Sequence, residues 1–152
     1  MLRPQIQTQT VRVISRIVGD AAFMFADELK PEARPEPALW KALGVRLDFS
    51  GEAAGNFRLW VGTALAQQFA VNMLGLEADD TLPDAKKHDA LREMLNIIVG
   101  NFLTGNFGEK AVFAMGIPQL LQADRLAADC LSADALWLSI EGQPVLCVVE
   151  IE

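Results

Sequence analysis

Val45-Arg46-Leu47-Asp48-Phe49, a turn bracketed by Gly51 and Gly55, then Phe57-Arg58-Leu59-Trp60-Val61: on both sides of this turn apolar residues recur at every second position. A strand sends successive side chains to opposite faces, so the stretch reads as a β-hairpin with one apolar face. A second hairpin closes the chain. Leu136, Leu138 and Ile140 alternate up to Glu141-Gly142-Gln143-Pro144, and Val145, Cys147, Val149 and Ile151 alternate after it. The two share a strand-Ser-turn pattern, although hairpins look alike without any duplication. Between and before them the period changes to that of a helix. Val11, Ile14, Ile17, Val18, Ala21, Ala22 and Phe25 form one stripe, which predicts a first helix near residues 8–29, ended by Leu29-Lys30-Pro31. Pro31, Pro35 and Pro37 make 30–38 a stiff polar linker. Leu65, Phe69, Ala70, Met73 and Leu74 predict a helix over 63–74 with Gly75 as its C-cap. Residues 77–84 read as an acidic loop in which Thr81 and Asp84 have capping-box spacing, and a long helix follows over about 84–106. Val112–Met115 is a candidate short strand, and 120–126 fits strand or helix. Hairpins with helices grouped between them give an α+β fold: an antiparallel sheet covered by helices.

The 152 residues are enough for one domain with a proper core. A net charge of −7 argues against a general nucleic-acid binder or a basic membrane-surface protein. No apolar run reaches the ~18 residues of a membrane helix, and the first residues lack the apolar core of a signal peptide. With two cysteines, Cys130 and Cys147, and one histidine, His88, a zinc site has almost no ligands. A reducing cytoplasm is the expected compartment, with both cysteines as small core hydrophobes. Nucleophilic triads would all have to share His88, which follows Lys86 and Lys87 and reads as a surface residue. No glycine-rich nucleotide loop is present. Any chemistry therefore comes from carboxylates, amides or a partner protein.

The long helix is the informative element. At 100° per residue, Asp89, Glu93, Asn96 and Gly100 fall within about 60° of one another, while Leu91, Met94, Leu95, Ile98 and Phe102 lie on the opposite side. A thin outward row thus runs along a core-facing helix. Glycine inside a helix costs about 1 kcal/mol relative to alanine, so Gly100 makes sense where something approaches the backbone. Asn96 is also a mediocre helix former. A solvated face would account for such a row too, since a Glu-x-x-Asn pair alone is common.

Asp89, three residues, Glu93, two residues, Asn96, the apolar Ile97-Ile98-Val99, then Gly100-Asn101 resembles the motif of the CheX/CheC/FliY chemotaxis phosphatases, CheX most closely. The Gly51/Gly55 hairpin, Asn72-Met73-Leu74-Gly75 before the motif helix and Gly116-Ile117-Pro118 after it are similar to the same family. The first helix carries no Glu-x-x-Asn, since Asp20 is followed by Phe23, which resembles the single-site CheX type rather than the doubled CheC type. The likeness spans roughly 42–151. On this view 1–152 is a single CheX-like domain: an N-terminal helix over 1–29, a Pro-rich linker over 30–41 and the matching core over 42–152.

The resemblance implies a phosphorylated CheY-type response regulator as substrate and partner. Asn96 would orient the attacking water, Glu93 would pair with the regulator's lysine, and Asp89 and Gly100 would contact the partner. It implies no cofactor on this chain, Mg²⁺ on the regulator, a homodimer, and neither nucleic acid nor membrane as partner. A non-enzymatic signalling or flagellar-switch module that only binds the regulator is the alternative; a small unrelated enzyme using Asp79, Asp80 or Glu93 has little in its favour. Trp40 and Trp60 read as packing or partly exposed hydrophobic anchors, whereas Trp137 sits off its strand's apolar alternation and so faces a helix or a second copy. Phe102, Phe107 and Phe113 read as core.

Overall fold

The computed structural model describes residues 3–77 and 82–152. Seven antiparallel strands form one sheet: β1 (Ala26–Glu28), β2 (Ala42–Gly51), β3 (Gly55–Gly62), β4 (Phe113–Met115), β5 (Gln119–Leu120), β6 (Ala135–Ile140) and β7 (Gln143–Ile151). Their order is β1-β6-β7-β3-β2-β4, with β5 also on β2. Both expected hairpins form, in registers such as Leu47↔Phe57 and Leu138↔Val145. They join through β3 and β7, where Leu59 faces Cys147, so the two alternating runs merge into one apolar face. Helices α1 (Pro4–Ala22), α2 (Thr63–Leu74) and α3 (Asp84–Phe107) pack on that face, and α3 touches both of the others. The main core lies between: Leu47, Phe57, Leu59 and Cys147 from the sheet meet Ile14, Phe69, Leu91, Leu95, Ile98 and Phe102 from the helices. Phe102 sets its ring edge-on to Phe57 at 5.2 Å between centroids. The layers are those expected of α+β.

Three local expectations change. The first helix starts earlier, with Pro4 in its first turn, where a missing N–H costs nothing. It also ends at Ala22 rather than 29. Phe23 turns left-handed (φ 59°), and the Phe23 and Met24 N–H groups bond back to the Gly19 and Val18 carbonyls. The following residues become edge strand β1 along β6, with Ala26 opposite Ile140. Helical periodicity thus continued past the true end because the apolar residues there were taken by a sheet edge, leaving Phe23 and Phe25 78% and 73% exposed. The proline-rich stretch contains a 3₁₀ turn, Pro31–Ala33. The ambiguous 120–126 is split into β5, a 3₁₀ turn (Ala123–Arg125) and the start of the short helix α4 (Leu126–Cys130). Finally, Thr81 of the expected capping box, and with it Asp79 and Asp80, lies outside the described residues. The residue before α3 is Pro83, which offers no side-chain cap.

The second face of the sheet is buried as well. Trp60, Leu146 and Val148 sit under Leu126 of α4, with Trp40, Trp137 and Cys130 packed around them. Trp137 stacks on Trp40 at 5.7 Å, and the Arg34 guanidinium lies 5.9 Å above it. Gly44 is required beneath Trp60: a Cβ there would sit 2.6 Å from the indole ring. Cys147 is buried, which pushes its thiol up, and Cys130 is half-buried.

Candidate functional site

Helix α3 is amphipathic in the expected sense. Ala90, Leu91, Met94, Leu95, Ile98, Val99, Phe102 and Leu103 are buried. Asp89, Glu93 and Asn96 are exposed, and Gly100 is half-exposed. The buried side clamps α3 against α1, α2 and β2 over much of its length, so the outward row is held by a rigid element. At 1.5 Å per residue, Glu93 and Asn96 stand about 4.5 Å apart along the axis, and Asp89 to Gly100 spans about 16 Å.

The four row residues differ in how occupied they are. Asp89 accepts a hydrogen bond from Arg92 Nη1 at 3.1 Å, an exposed i,i+3 pair of little energetic weight. Among the described residues, neither Glu93 nor Asn96 has a hydrogen-bonding or ionic partner within the chain. Nothing lies within 4 Å of a Cβ built on Gly100, so no internal packing asks for glycine there. Its carbonyl accepts from Thr104 Oγ1 at 3.0 Å. Asn101, next in the motif, is by contrast fully used: its Nδ2 donates to the Ile97 carbonyl at 2.9 Å, and its Oδ1 accepts from Arg16 Nη2 of α1 at 2.9 Å. Asn101 therefore ties the motif helix to its neighbour.

Two depressions flank the row. One, about 310 Å³, lies between the end of α2 and the start of α3, with Met73, Leu74 and Ala90 as its apolar lining and Lys86, Asp89 and Glu93 at its rim. The other, about 240 Å³, lies past Gly100, against Leu103, Thr104, Ala111, Phe113 and Met115. Glu93 borders the first and Gly100 the second, so the row is a ridge between two hollows. His88 is half-buried. No group of three or more His, Cys, Asp or Glu side chains that could hold a metal ion occurs among the described residues. No described helix is long and apolar enough to cross a membrane.

A second polar cluster lies on the far face of the sheet and was not foreseen. Arg58, 1% exposed, gives its Nε and Nη2 to Asp129, itself 1% exposed, at 3.0–3.1 Å. Its Nη2 also reaches Glu150 at 2.7 Å and its Nη1 reaches Asn56 Oδ1 at 2.6 Å. Trp60 Nε1 and Arg125 Nε donate to the same Asp129 carboxylate at 2.8 and 3.3 Å. Burial alone would raise the Asp129 carboxyl; the hydrogen bonds from Arg58 and Trp60, the Arg58 charge and the Arg125 hydrogen bond outweigh it and hold the group below the ordinary carboxylate range. Burial likewise works against the Arg58 charge, yet Asp129 and Glu150 keep the guanidinium above its usual value. Among the described residues no buried side-chain nitrogen or oxygen is left without a partner, and the cluster pins α4 to the sheet. The separation of 71 positions between Arg58 and Asp129 hid it from pattern reading.

Comparison with known proteins puts a family to this geometry. The description "Chemotaxis phosphatase CheX" matches residues 43–141. A search of curated proteins finds no match. Among solved structures, the chain is similar to CheX of Vibrio vulnificus at a TM-score of 0.71 and 16% identity, covering 100% of this chain and 99% of that one. It is similar to the CheX-CheY-BeF3-Mg²⁺ complex from Borrelia burgdorferi at 0.69 and 20%, covering 99% of both chains. Thermotoga maritima FliY is similar at 0.56 and 14%, covering 97% of this chain and 91% of that one. At these identities the structural likenesses speak for the fold.

Proposed function

Because the chain belongs to the CheX chemotaxis phosphatase family, we propose that it hydrolyses the aspartyl phosphate of a CheY-type response regulator, using Glu93 and Asn96. One observation carries the assignment: two exposed polar side chains, with no partner among the described residues, stand on one side of a helix whose other side is locked in the core. The Borrelia burgdorferi relative was solved with CheY, BeF3 and Mg²⁺, which favours the same class of partner here.

The chemistry suits these residues. An acyl phosphate is already reactive, and the loose transition state of phosphoryl transfer rewards positioning more than strong base catalysis. The water oxygen attacks phosphorus in line, the bond from phosphorus to the aspartyl oxygen breaks, and carboxylate and inorganic phosphate leave. Asn96 has the right functional group: its amide oxygen accepts from the water and its NH₂ donates, while the amide takes no proton itself. Holding the water in line converts its translational freedom into rate. Glu93 supplies a charge-assisted hydrogen bond to the regulator's lysine and sets the register. Asp89 supports from the preceding turn, and Gly100 admits the partner's backbone close to α3. Mg²⁺ resides on the regulator and neutralises the phosphoryl oxygens there.

The proposal includes a cytoplasmic homodimer formed by one domain over 1–152. Exposed Phe23 and Phe25 beside the outer edge of β1 favour self-association, which sedimentation velocity would read.

The decisive experiment follows the loss of phosphate from phosphorylated CheY-type regulator with Mg²⁺. Wild-type protein shortens the phosphate's lifetime, and Asn96→Ala slows hydrolysis by about 100-fold or more with an unchanged circular dichroism spectrum. Full activity of Asn96→Ala would refute the assigned role. An unchanged lifetime with measurable binding of wild-type protein would favour the non-enzymatic module instead.

A further inference from the structure

We infer that the depression between α2 and α3 is a second anchoring point for the regulator: it receives an apolar side chain that neighbours the lysine paired with Glu93. The inference rests on the proposed function and extends it from the two motif residues to a docking footprint.

The geometry points this way because the hollow shares its wall with the site. Glu93 lies on its rim, and Asp89 and Lys86 stand one and two turns before it on the same side of α3. Whatever pairs with Glu93 is brought directly over the opening. The interior is apolar, being formed by Met73, Leu74 and Ala90. Leu74 is 51% exposed at the last position of α2. A large apolar side chain left half in water at the mouth of a hollow is the arrangement of an interface anchor.

Charge selects the occupant. Of the three charged rim residues, Asp89 is already paired with Arg92 and Lys86 is a cation, so Glu93, nearest Asn96, is the carboxylate left without a partner among the described residues. A partner surface carrying a cation next to an apolar residue fits both parts together: the cation meets Glu93 and the apolar group enters between Leu74 and Ala90. A purely apolar partner would leave Glu93 uncovered.

The test uses each CheY-type regulator of the same organism, loaded with BeF3⁻ and Mg²⁺ for binding and phosphorylated for turnover. Leu74→Glu raises Kd and KM by about tenfold or more and leaves kcat near wild type, whereas Leu74→Met stays close to wild type in all three. Leu74→Gln, which adds no charge, gives the same direction with a smaller change and keeps the test valid should the glutamate variant unfold. Unchanged Kd and KM in folded Leu74→Glu or Leu74→Gln overturns the inference, as does a loss confined to kcat. Asn96→Ala measured alongside separates the two levels: if it retains full turnover, the catalytic reading fails, while the Leu74 binding data still decide the docking point.

Discussion

The outward row of α3 and the Arg58–Asp129 cluster are both charged, and they are built on opposite logic. Arg58 and Asp129 are almost wholly removed from water, and they are bonded to Trp60, Asn56, Glu150, Arg125 and each other. Glu93 and Asn96 are exposed, and their side chains have no partner among the described residues. A buried charge survives only when paired, because desolvation costs more than most single contacts return. An exposed polar group with no partner costs nothing and stays available. Strong electrostatics inside a fold therefore marks structure here, and the idle groups mark the site. The sheet separates the two: the cluster secures α4 on one face, while the three long helices on the other carry the row.

That contrast predicts separable losses. Asp129→Ala leaves the Arg58 charge buried without its main partner and costs about 3–5 kcal/mol of stability, or a fall in Tm of roughly 10 °C. Phosphatase activity measured well below the new Tm should stay near wild type; if it vanished with the fold intact, the cluster would have to act on the site. The same pair gives a pH signature. The Asp129 carboxyl is lowered in the folded state, so its contribution is complete above the unfolded value of about 3.9 and is lost as pH falls through the folded value. In acid titrations followed by circular dichroism, the stability gap between wild type and Asp129→Asn should narrow as the pH drops below that unfolded value.

On the other side of the sheet, Glu93→Lys brings like charges together at the regulator's lysine. Affinity should fall by roughly 10- to 100-fold with unchanged stability, and titration against BeF3⁻-loaded regulator reads it. Gly100→Ala gives the smallest and most telling change. Nothing inside the chain opposes the added methyl, so helix propensity should raise stability by about 1 kcal/mol. If the partner lies against this turn, regulator binding weakens at the same time. A variant that is more stable and equally tight in binding would remove Gly100 from the interface.

Much of this was readable in advance because it is periodic. The apolar face of the two hairpins, the buried side of α3 and the Gly75 helix end all follow from spacing within a few residues. The row of Asp89, Glu93, Asn96 and Gly100 was legible for the same reason: a helix turns by a constant angle, so four positions determine one line. What failed was non-periodic. The first helix ended seven residues early because the β6 edge offered hydrogen bonds to 26–28, and no local pattern announces a competing sheet edge. Arg58 occupies a position where alternation expects solvent, yet it is buried, since Asp129 of α4 arrives from 71 residues away.

By itself, then, the order of residues determined the elements, the sheet-and-helix layering and the line of side chains along α3, because these depend on neighbours within a turn or a strand. Only the tertiary structure decided that Asn101 is spent on Arg16 while Asn96 has no partner among the described residues, that a buried ion pair ties α4 to the far face of the sheet, and that hollows lie on both sides of the row. Such outcomes depend on which distant segment reaches a polar group first, and that competition is settled only when the layers close.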